Sequence, residues 1–205
     1  MPLLPTARPV AGNTYRVTAR AGTVRMHPTF GPTRVFGYDD NSGRGVTTPG
    51  YVFQVRKGTP TRVTYVNALP AQHLFDNEVP DYMHAGAPVR MSTHLHGGHV
   101  AGLSDGNPYA FPAEYLPGQS QSVLYPNDQN ATLLWYHDHS DQITRLNVYA
   151  GLVGLYVIRD GLDTGTEPNG LGVPGGPYEI PIVLADRAFD ANGQLFYSSD
   201  QTWIP

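Results

Sequence analysis

Short segments in which apolar and polar residues alternate, each bounded by glycine or proline, limit most strongly what this chain can fold into. In the first of them, TYRVTAR, the side chains of Tyr15, Val17 and Ala19 share one face. Similar segments lie at residues 52–56, 62–67 and 120–125, and more continuously apolar ones lie at 132–137 and 154–158. A period of two is that of a β-strand, and the 23 glycines and 19 prolines supply frequent turns. The sequence therefore predicts an all-β, antiparallel sandwich or barrel.

One segment has a different period. Residues 140–149 place Ile143 and Leu146 at helical spacing, and Ser140 or Asp141 is available to cap a helix N-terminus. We therefore predict one short helix between the apolar segments at residues 132–137 and 154–158.

Two stretches show neither the period of a strand nor that of a helix. Residues 67–92 are long and mixed and are predicted to be a loop, whereas residues 160–177 are rich in glycine and proline and are predicted to be a linker. Beyond the linker, residues 178–184 are a strand candidate, and an Asn-Gly turn before residues 195–197 predicts a hairpin. A two-stranded hairpin cannot bury its own apolar face. The main domain, a second copy or further sequence must therefore cover it.

The charge balance disfavours polyanionic partners. Thirteen Lys and Arg against 17 Asp and Glu give a formal net charge of -4, so neither nucleic acid nor an anionic membrane is an expected partner. No apolar run approaches the roughly 18 residues of a membrane-spanning helix. The first ten residues lack the apolar core of a secretory signal, so the sequence as it stands predicts a cytoplasmic location. The absence of cysteine excludes disulfides, thiolate nucleophiles, iron–sulfur clusters and zinc–cysteine sites.

Two tight groups contain five of the eight histidines: HLHGGH, which begins at His94, and WYHDH, which ends at His139. Each group holds a His-x-His pair, and in a strand such residues project to the same side, with their Cα atoms about 6.5–7 Å apart. Two pairs on adjacent strands would bring four imidazoles to one patch. Imidazoles without thiolates suit copper, zinc, iron or nickel and disfavour calcium and magnesium. The predicted metal ligands are His94, His96, His137 and His139.

The residues alone leave other interpretations of the histidines open. Three imidazoles and a water make a catalytic zinc site, so a zinc hydrolase competes with a redox enzyme. His99 is either a further ligand or a surface loop residue. The isolated His27, His73 and His84 are predicted to be structural.

Four motifs follow one another in an order that is typical of one family: HLHGG at residues 94–98, SDG at 104–106, LWYHDH at 134–139 and TRLNVYAGL at 144–152. Together they resemble the first cupredoxin domain of the multicopper oxidases, and in particular the branch of bacterial spore-coat laccases and bilirubin oxidases. PTRVFGY at 32–38 and ADR at 185–187 also resemble that branch, so the similarity covers nearly the whole chain.

The resemblance implies a domain organisation. Residues 1–159 would form a cupredoxin-like Greek-key β-sandwich, with the short helix after the second His-x-His motif. Residues 160–177 would link it to residues 178–205, the opening hairpin of a second, truncated cupredoxin domain.

The resemblance also implies roles for individual residues. His94 resembles a ligand of the type 2 copper of a trinuclear cluster, and His96, His137 and His139 resemble ligands of its type 3 pair. Asp105 matches an acidic residue that the family places near the cluster, where it helps to deliver protons to reduced oxygen. In the sequence Ser-Asp-Gly, Asp105 is also readable as an ordinary turn residue.

The implied function is oxidation of a phenolic or metal-ion reductant coupled to reduction of O2 to water. The type 1 copper of such enzymes needs a cysteine thiolate, and this chain has no cysteine. The chain would therefore supply half of the cluster ligands and no type 1 site. Its expected partners are the missing C-terminal cupredoxin domains, in one polypeptide or in a separate chain, or a second copy in a homo-oligomer. Members of the family are often exported or associated with spore coats.

The sequence also allows two alternatives to the interpretation that this chain is part of a larger oxidase. One is a non-catalytic copper-binding or assembly module. The other is a self-sufficient zinc or copper enzyme built on the four histidines alone. A reading frame directly downstream that encodes His-Cys-His would favour the enzyme portion over the module.

Overall fold

The computed structural model describes residues 3–76, 88–109 and 114–198. The strands are β1 (Thr14–Val24), β2 (Thr33–Asp39), β3 (Phe53–Arg56), β4 (Thr61–Ala68), β5 (Thr93–His96), β6 (Ser120–Tyr125), β7 (Thr132–Asp138), β8 (Val153–Arg159), β9 (Ala188–Phe189) and β10 (Leu195–Phe196), and the α-helix α1 is Thr144–Ala150. Among these described residues, no helix is long and apolar enough to cross a lipid bilayer.

Two four-stranded sheets form the main body of the fold. One has the order β2-β1-β4-β6 and the other the order β3-β8-β7-β5. The chain crosses between the sheets and returns, so neighbouring strands are often distant in sequence. This arrangement confirms the predicted all-β Greek-key sandwich with one short helix. The prediction of a purely antiparallel sheet was wrong, because β1 pairs with β4 and β3 pairs with β8 in parallel, as strands that are reached by a crossover do.

Aromatic side chains fill the space between the two sheets. The Tyr136 ring in β7 is fully buried, and its centroid lies 5.1 Å from that of Tyr38 and 5.2 Å from that of Phe53. The Tyr136 hydroxyl donates a hydrogen bond of 2.8 Å to the Tyr51 carbonyl, which satisfies its polar end inside the core. In β6 the alternation agrees with the sequence, since Gln121, Val123 and Tyr125 are the buried positions.

The helix α1 begins later than the sequence predicts. Its first turn is preceded by Ile143, and no side chain caps it. Ser140, the predicted cap, instead directs its hydroxyl to the Asp138 carboxylate, 3.0 Å away. Asp141 accepts a hydrogen bond from the Tyr109 hydroxyl. Both predicted caps are therefore engaged in other contacts, Ser140 with a residue two positions before it and Asp141 with Tyr109, which is distant in sequence.

Residues 178–184 form no strand, so that prediction was wrong. The segment lies along the outer face of the second sheet, where Val183 packs against the apolar cluster that includes Leu155. Ile182 and Leu184 point outward, and Leu184 is 92% exposed. Without a neighbouring strand to pair with among the described residues, the segment keeps the alternation of a strand but not its hydrogen bonds.

The predicted C-terminal hairpin is present, but its first strand is β9 and not residues 178–184. β10 pairs with β9, and a turn that includes Gly193 joins them. The hairpin is attached to the main sandwich, because the Thr33 hydroxyl donates to the Gly193 carbonyl at 2.8 Å and the Tyr149 hydroxyl donates to the Phe196 carbonyl at 2.8 Å. Phe196 itself remains 41% exposed. The main domain therefore covers part of the hairpin.

The two predicted irregular stretches contain few regular elements in their described parts. Between the end of β4 and the start of β5, one isolated bridge joins Met91 to Tyr115, while residues 77–87, which include His84, lie outside the described residues. Ion pairs of Arg159 hold the start of the stretch 160–177 in place. The Arg159 guanidinium lies 2.8 Å from an Asp163 carboxylate oxygen and 2.7 Å from a Glu179 carboxylate oxygen. Its assignment as an interdomain linker stays a prediction.

We predict that Gly154→Ala destabilises the sandwich. Gly154 lies opposite Tyr136 in the β7–β8 register, and a Cβ atom added to it would overlap the buried Tyr136 ring. Overpacking of this kind costs about 1–3 kcal/mol in the free energy of unfolding. Thermal unfolding followed by circular dichroism measures the effect.

The matched control is Gly161→Ala, because a Cβ at Gly161 meets no atom within 4 Å. We expect an unchanged melting temperature for this variant. Equal melting temperatures for the Gly154 and Gly161 variants would contradict the packing described here.

Candidate metal centre

The pairing of β5 with β7 brings the two His-x-His motifs together. In this antiparallel register His94 lies opposite His137, and His96 lies opposite Trp135. The alternate residues Leu95 and Tyr136 point into the core. The histidines therefore share the outer face of the second sheet, as the sequence predicts from the period of a strand.

Main-chain carbonyl groups orient two of the imidazoles. His94 Nδ1 lies 2.5 Å from the Asp105 carbonyl oxygen, and His137 Nδ1 lies 2.6 Å from the Asp138 carbonyl oxygen. Because a carbonyl oxygen only accepts hydrogen bonds, each Nδ1 carries the proton. In a neutral imidazole this leaves the lone pair on Nε2, the atom that a metal would bind.

Three of the imidazoles converge. His96 Nδ1 lies 3.3 Å from His137 Nε2, and one nitrogen from each of His94, His96 and His137 lies within 4.8 Å of the other two. The pKa of His137 is lowered to about 4, chiefly by burial and also by the three neighbouring imidazoles, whereas the hydrogen bond to the Asp138 carbonyl raises it. His137 is therefore neutral at pH 7 and able to act as a ligand.

His139 lies on the same patch but outside this group of three. It follows the end of β7, and its backbone N–H donates to the Ser92 carbonyl at 2.6 Å. Its ring centroid lies 5.3 Å from that of His94 and 5.8 Å from that of His137. Like His96, it is solvent-exposed in this chain. One side of the patch is therefore open.

Trp135 supports the imidazole planes. Its ring is stacked on His137 with centroids 4.1 Å apart and on His96 with centroids 5.0 Å apart. Trp135 thus packs beside the patch, whereas Tyr136 belongs to the core behind it.

The Ser-Asp-Gly motif forms a tight turn against β5. The Ser104 hydroxyl accepts a hydrogen bond from the Leu124 N–H at 3.0 Å, and the Ser92 hydroxyl donates to the Gly106 carbonyl at 2.8 Å. Gly106 has φ +70°, and a Cβ there would overlap the Thr93 carbonyl, so only glycine fits. The turn interpretation of this motif agrees with the structure.

The same turn places Asp105 beside the histidines. One carboxylate oxygen of Asp105 lies 3.2 Å from His94 Nδ1, and the side chain is 41% exposed. Asp105 therefore contacts both the candidate metal centre and solvent.

Asp138 is a site residue that the sequence analysis missed. Its fully buried carboxylate accepts hydrogen bonds from the Ser92 and Ser140 N–H groups at 3.0 Å each, from the Ser140 hydroxyl at 3.0 Å and from Asn147 Nδ2 at 2.9 Å. Burial raises the pKa of Asp138 to about 6, although these hydrogen bonds lower it. The carboxylate ties the end of β7 to the start of β5 and to α1. A charged residue between two histidines at the end of an apolar segment is the signal that could have identified it.

The other described histidines lie elsewhere. His73 is buried, and its Nε2 is bound to Asn147 Oδ1 at 3.1 Å, in agreement with a structural role. His27 packs against Phe30 on the surface. His99 is an exposed loop residue whose Nδ1 lies 3.4 Å from an Asp128 oxygen.

The donor set fits copper. It consists of imidazole nitrogens with fixed lone pairs and an adjoining carboxylate, a combination that also suits zinc and that excludes a thiolate-based centre within this chain. The geometry alone does not distinguish copper from zinc.

The comparisons with known proteins decide the family. A family model described as multicopper oxidase matches residues 83–163, which include all four predicted ligands. The chain belongs to the multicopper oxidase family. It is 34% identical to a laccase from Bacillus subtilis (strain 168) over 97% of its length and 33% identical to a bilirubin oxidase from Albifimbria verrucaria over 95%.

Solved structures of multicopper oxidases share the fold. The crystal structure of a laccase from Pediococcus acidilactici superimposes with a TM-score of 0.73 at 27% identity and covers 97% of this chain. These likenesses confirm the cupredoxin-like class of the sandwich. The multicopper oxidase chain described here spans 39% of the Bacillus laccase, 29% of the bilirubin oxidase and 37% of the Pediococcus laccase.

We predict that Asp138→Asn lowers the free energy of unfolding by about 1–3 kcal/mol, the cost of leaving buried hydrogen-bonding groups unsatisfied. An amide has one acceptor oxygen in place of two, so one of its N–H groups would face the donors that now bind Asp138. Urea unfolding of the metal-free chain measures this loss.

Asp186→Asn is the matched control, because the side chain of Asp186 is exposed. We expect it to unfold at the wild-type urea concentration. An Asp138→Asn protein with wild-type stability would show that the buried carboxylate does not hold the strand ends together.

Proposed function

We propose that this chain is one part of a laccase-type oxidase and supplies half of the histidine ligands of a trinuclear copper cluster. In this proposal His94 binds the type 2 copper, and His96, His137 and His139 bind the type 3 pair. The convergence of three imidazoles on the outer face of one sheet, in a chain of the multicopper oxidase family, is the observation that carries it. The whole oxidase would take electrons from a phenolic or metal-ion reductant and reduce O2 to water.

The remaining ligands and the type 1 copper would come from further cupredoxin domains, in the same polypeptide or in a separate chain. Two observations support this division. The chain spans 39% of the similar Bacillus laccase, and its 205 residues include no cysteine for a type 1 site. Residues 1–159 would then be the first domain, 160–177 a linker, and 178–205 the opening of the second.

Bound copper would supply the one-electron redox chemistry of the site. The residues of this chain prepare the ligands for it. The Asp105 and Asp138 carbonyl groups hold the Nδ1 protons of His94 and His137, so that the Nε2 lone pairs face the patch. The Trp135 ring restricts the planes of His96 and His137. These contacts reduce the reorganisation that metal binding requires.

Asp105 would deliver protons to the site. Its carboxylate lies next to His94 and is partly open to solvent, so it is able to take up a proton outside and hold it beside the histidine patch.

A non-catalytic copper-binding module is the second candidate function. The absence of cysteine from the chain favours it, because the chain by itself has no thiolate for a type 1 copper. Oxidation of phenols by the copper-loaded chain alone would exclude this alternative.

We predict that Cu²⁺ quenches the fluorescence of Trp135, because its indole is stacked on two candidate ligands. The measurement uses the Trp203→Phe protein, in which Trp135 is the remaining tryptophan of the two in the sequence. In that background, replacing both His94 and His96 by Ala should abolish the quenching and the retention of copper after gel filtration.

The control replaces His27 and His99 by Ala, two exposed histidines away from the patch. It should retain both signals. Copper retention that survives in the His94 and His96 double variant, or that is lost in the control, would refute the ligand assignment.

We predict that Asp105→Asn slows O2 reduction by about 100-fold or more in the complete oxidase, the loss expected when a general acid is removed. Copper content should stay unchanged. Oxygen-electrode rates across a range of pH, together with metal analysis, measure both properties.

Asp128→Asn is the control for charge, since Asp128 is an exposed carboxylate beside His99. It should keep the wild-type rate. A rate loss in Asp105→Asn that is matched by loss of copper would instead assign Asp105 to the structure of the site.

A further inference from the structure

A cleft away from the histidine patch lies between the main sandwich and the segment that leads into β9. Its volume is about 760 Å³, and its walls come from residues within the ranges 3–5, 24–26, 47–49 and 180–189 and from Val153. This volume is within the roughly 300–1,000 Å³ of small-molecule sites. The four patch histidines are not among the residues that line it. The cleft is therefore a separate candidate site.

Apolar side chains form most of the lining. Leu4, Met26 and Phe189 contribute from three separate segments of the chain. Ile180 and Ile182, which are 50% and 53% exposed, add to the wall from the extended segment before β9. A hydrocarbon group in the cleft would remove this surface from water, which is favourable in proportion to the apolar area buried.

Arg187 adds a positive charge to the lining. Its guanidinium carbon lies 4.9 Å from the centroid of the Tyr149 ring, and its Nη1 donates a hydrogen bond of 2.6 Å to the Asp186 carbonyl. Among the described residues, no carboxylate oxygen lies within 4.0 Å of its guanidinium nitrogens. The remaining N–H groups of Arg187 are therefore available to a ligand.

Arg187 differs in this respect from the other arginines that are partly or fully withdrawn from solvent in the described part of the chain. Arg20, Arg90 and Arg159 each lie within 3.6 Å of a carboxylate oxygen. Burial of a cation without a counter-ion is unfavourable, because no anion replaces the lost hydration. Burial accordingly lowers the pKa of the Arg187 guanidinium, which stays protonated at pH 7. A bound anion would supply the missing partner.

The charges of the lining point to one class of anion. No acidic side chain of the described residues lines the cleft. Arg25 is a second cation there, but it is exposed and its Nη2 is bound to the Pro28 carbonyl at 2.8 Å. One half-buried guanidinium balances one negative charge, and its planar fork matches the two oxygens of a carboxylate. The apolar walls match a hydrocarbon body on the same molecule.

We propose that this cleft binds a small monocarboxylate with an apolar body. Its carboxylate would bind to Arg187, and its body would lie against Met26, Ile182 and Phe189. The molecule is a ligand and not a reductant, so the proposal goes beyond the oxidase function and does not depend on bound copper.

The test is isothermal titration calorimetry of the chain at pH 7 with cinnamate, a rigid aromatic monocarboxylate. Two matched compounds separate the contributions, since cinnamamide keeps the apolar body without the charge and acetate keeps the carboxylate without the body. We expect one cinnamate to bind to each chain. Cinnamamide and acetate should each bind about 10-fold more weakly or worse, because each lacks one of the two interactions.

Variants of the arginine test the charge. Arg187→Gln should weaken cinnamate binding by about 10-fold or more and leave cinnamamide binding unchanged, a difference that a merely structural role would not produce. Arg187→Lys keeps the charge and should lose less affinity for cinnamate than Arg187→Gln. Arg62→Gln is the matched control, because Arg62 is exposed in β4 and does not line the cleft. It should bind cinnamate as the wild type does.

A variant of the wall tests the apolar contact. Ile182→Asn should weaken the binding of cinnamate and of cinnamamide together, because both carry the same ring. Leu116→Asn is its control, since Leu116 is 44% exposed and lies outside the cleft. Both replaced side chains are exposed, and thermal melts show whether each variant keeps the wild-type fold.

Several results would overturn the proposal. They are no binding of cinnamate, equal affinities for cinnamate and cinnamamide, or wild-type cinnamate binding by Arg187→Gln. The double variant with His94 and His96 replaced by Ala should bind cinnamate normally, and loss of binding in it would move the ligand to the histidine patch. The outcome is therefore independent of the copper assignment, which the absence of cinnamate binding would leave standing.

Discussion

The register between β5 and β7 is the constraint on which the metal centre depends. Hydrogen bonding aligns His94 with His137 and His96 with Trp135, and the alternate positions, Leu95 and Tyr136, are buried. A slip of one residue in either strand would turn its histidines into the apolar core. The burial of the aromatic core therefore enforces the convergence of the imidazoles, and the stability of the sandwich and the geometry of the site have one cause.

The ends of these strands are held by buried polar contacts. Asp138 joins the end of β7 to Ser92 before β5 and to Asn147 in α1, and Asn147 in turn binds His73. Such a network is favourable only when its donors and acceptors are paired. The short helix thus acts as a support for the metal centre, since its Asn147 satisfies the carboxylate that lies between two candidate ligands.

Local sequence predicts most of this sandwich and fails where a segment takes partners that its pattern does not indicate. The alternation in β6 and the apolar segments of β7 and β8 were recognisable because each strand is half or fully buried. The helix cap was wrong because the Ser140 side chain binds Asp138 instead. The strand at residues 178–184 was wrong because alternation describes which side chains pack, as Val183 does, and not whether a neighbour offers hydrogen bonds.

By itself, the sequence determined the all-β class, the two His-x-His pairs and the family, because strand period and motif spacing are local properties of the chain. The tertiary structure alone decided which nitrogen of His94 and which nitrogen of His137 is free. It also decided that Asp105 faces His94. These properties depend on where the fold places carbonyl and carboxylate groups around the imidazoles, and a local sequence pattern does not contain such distances.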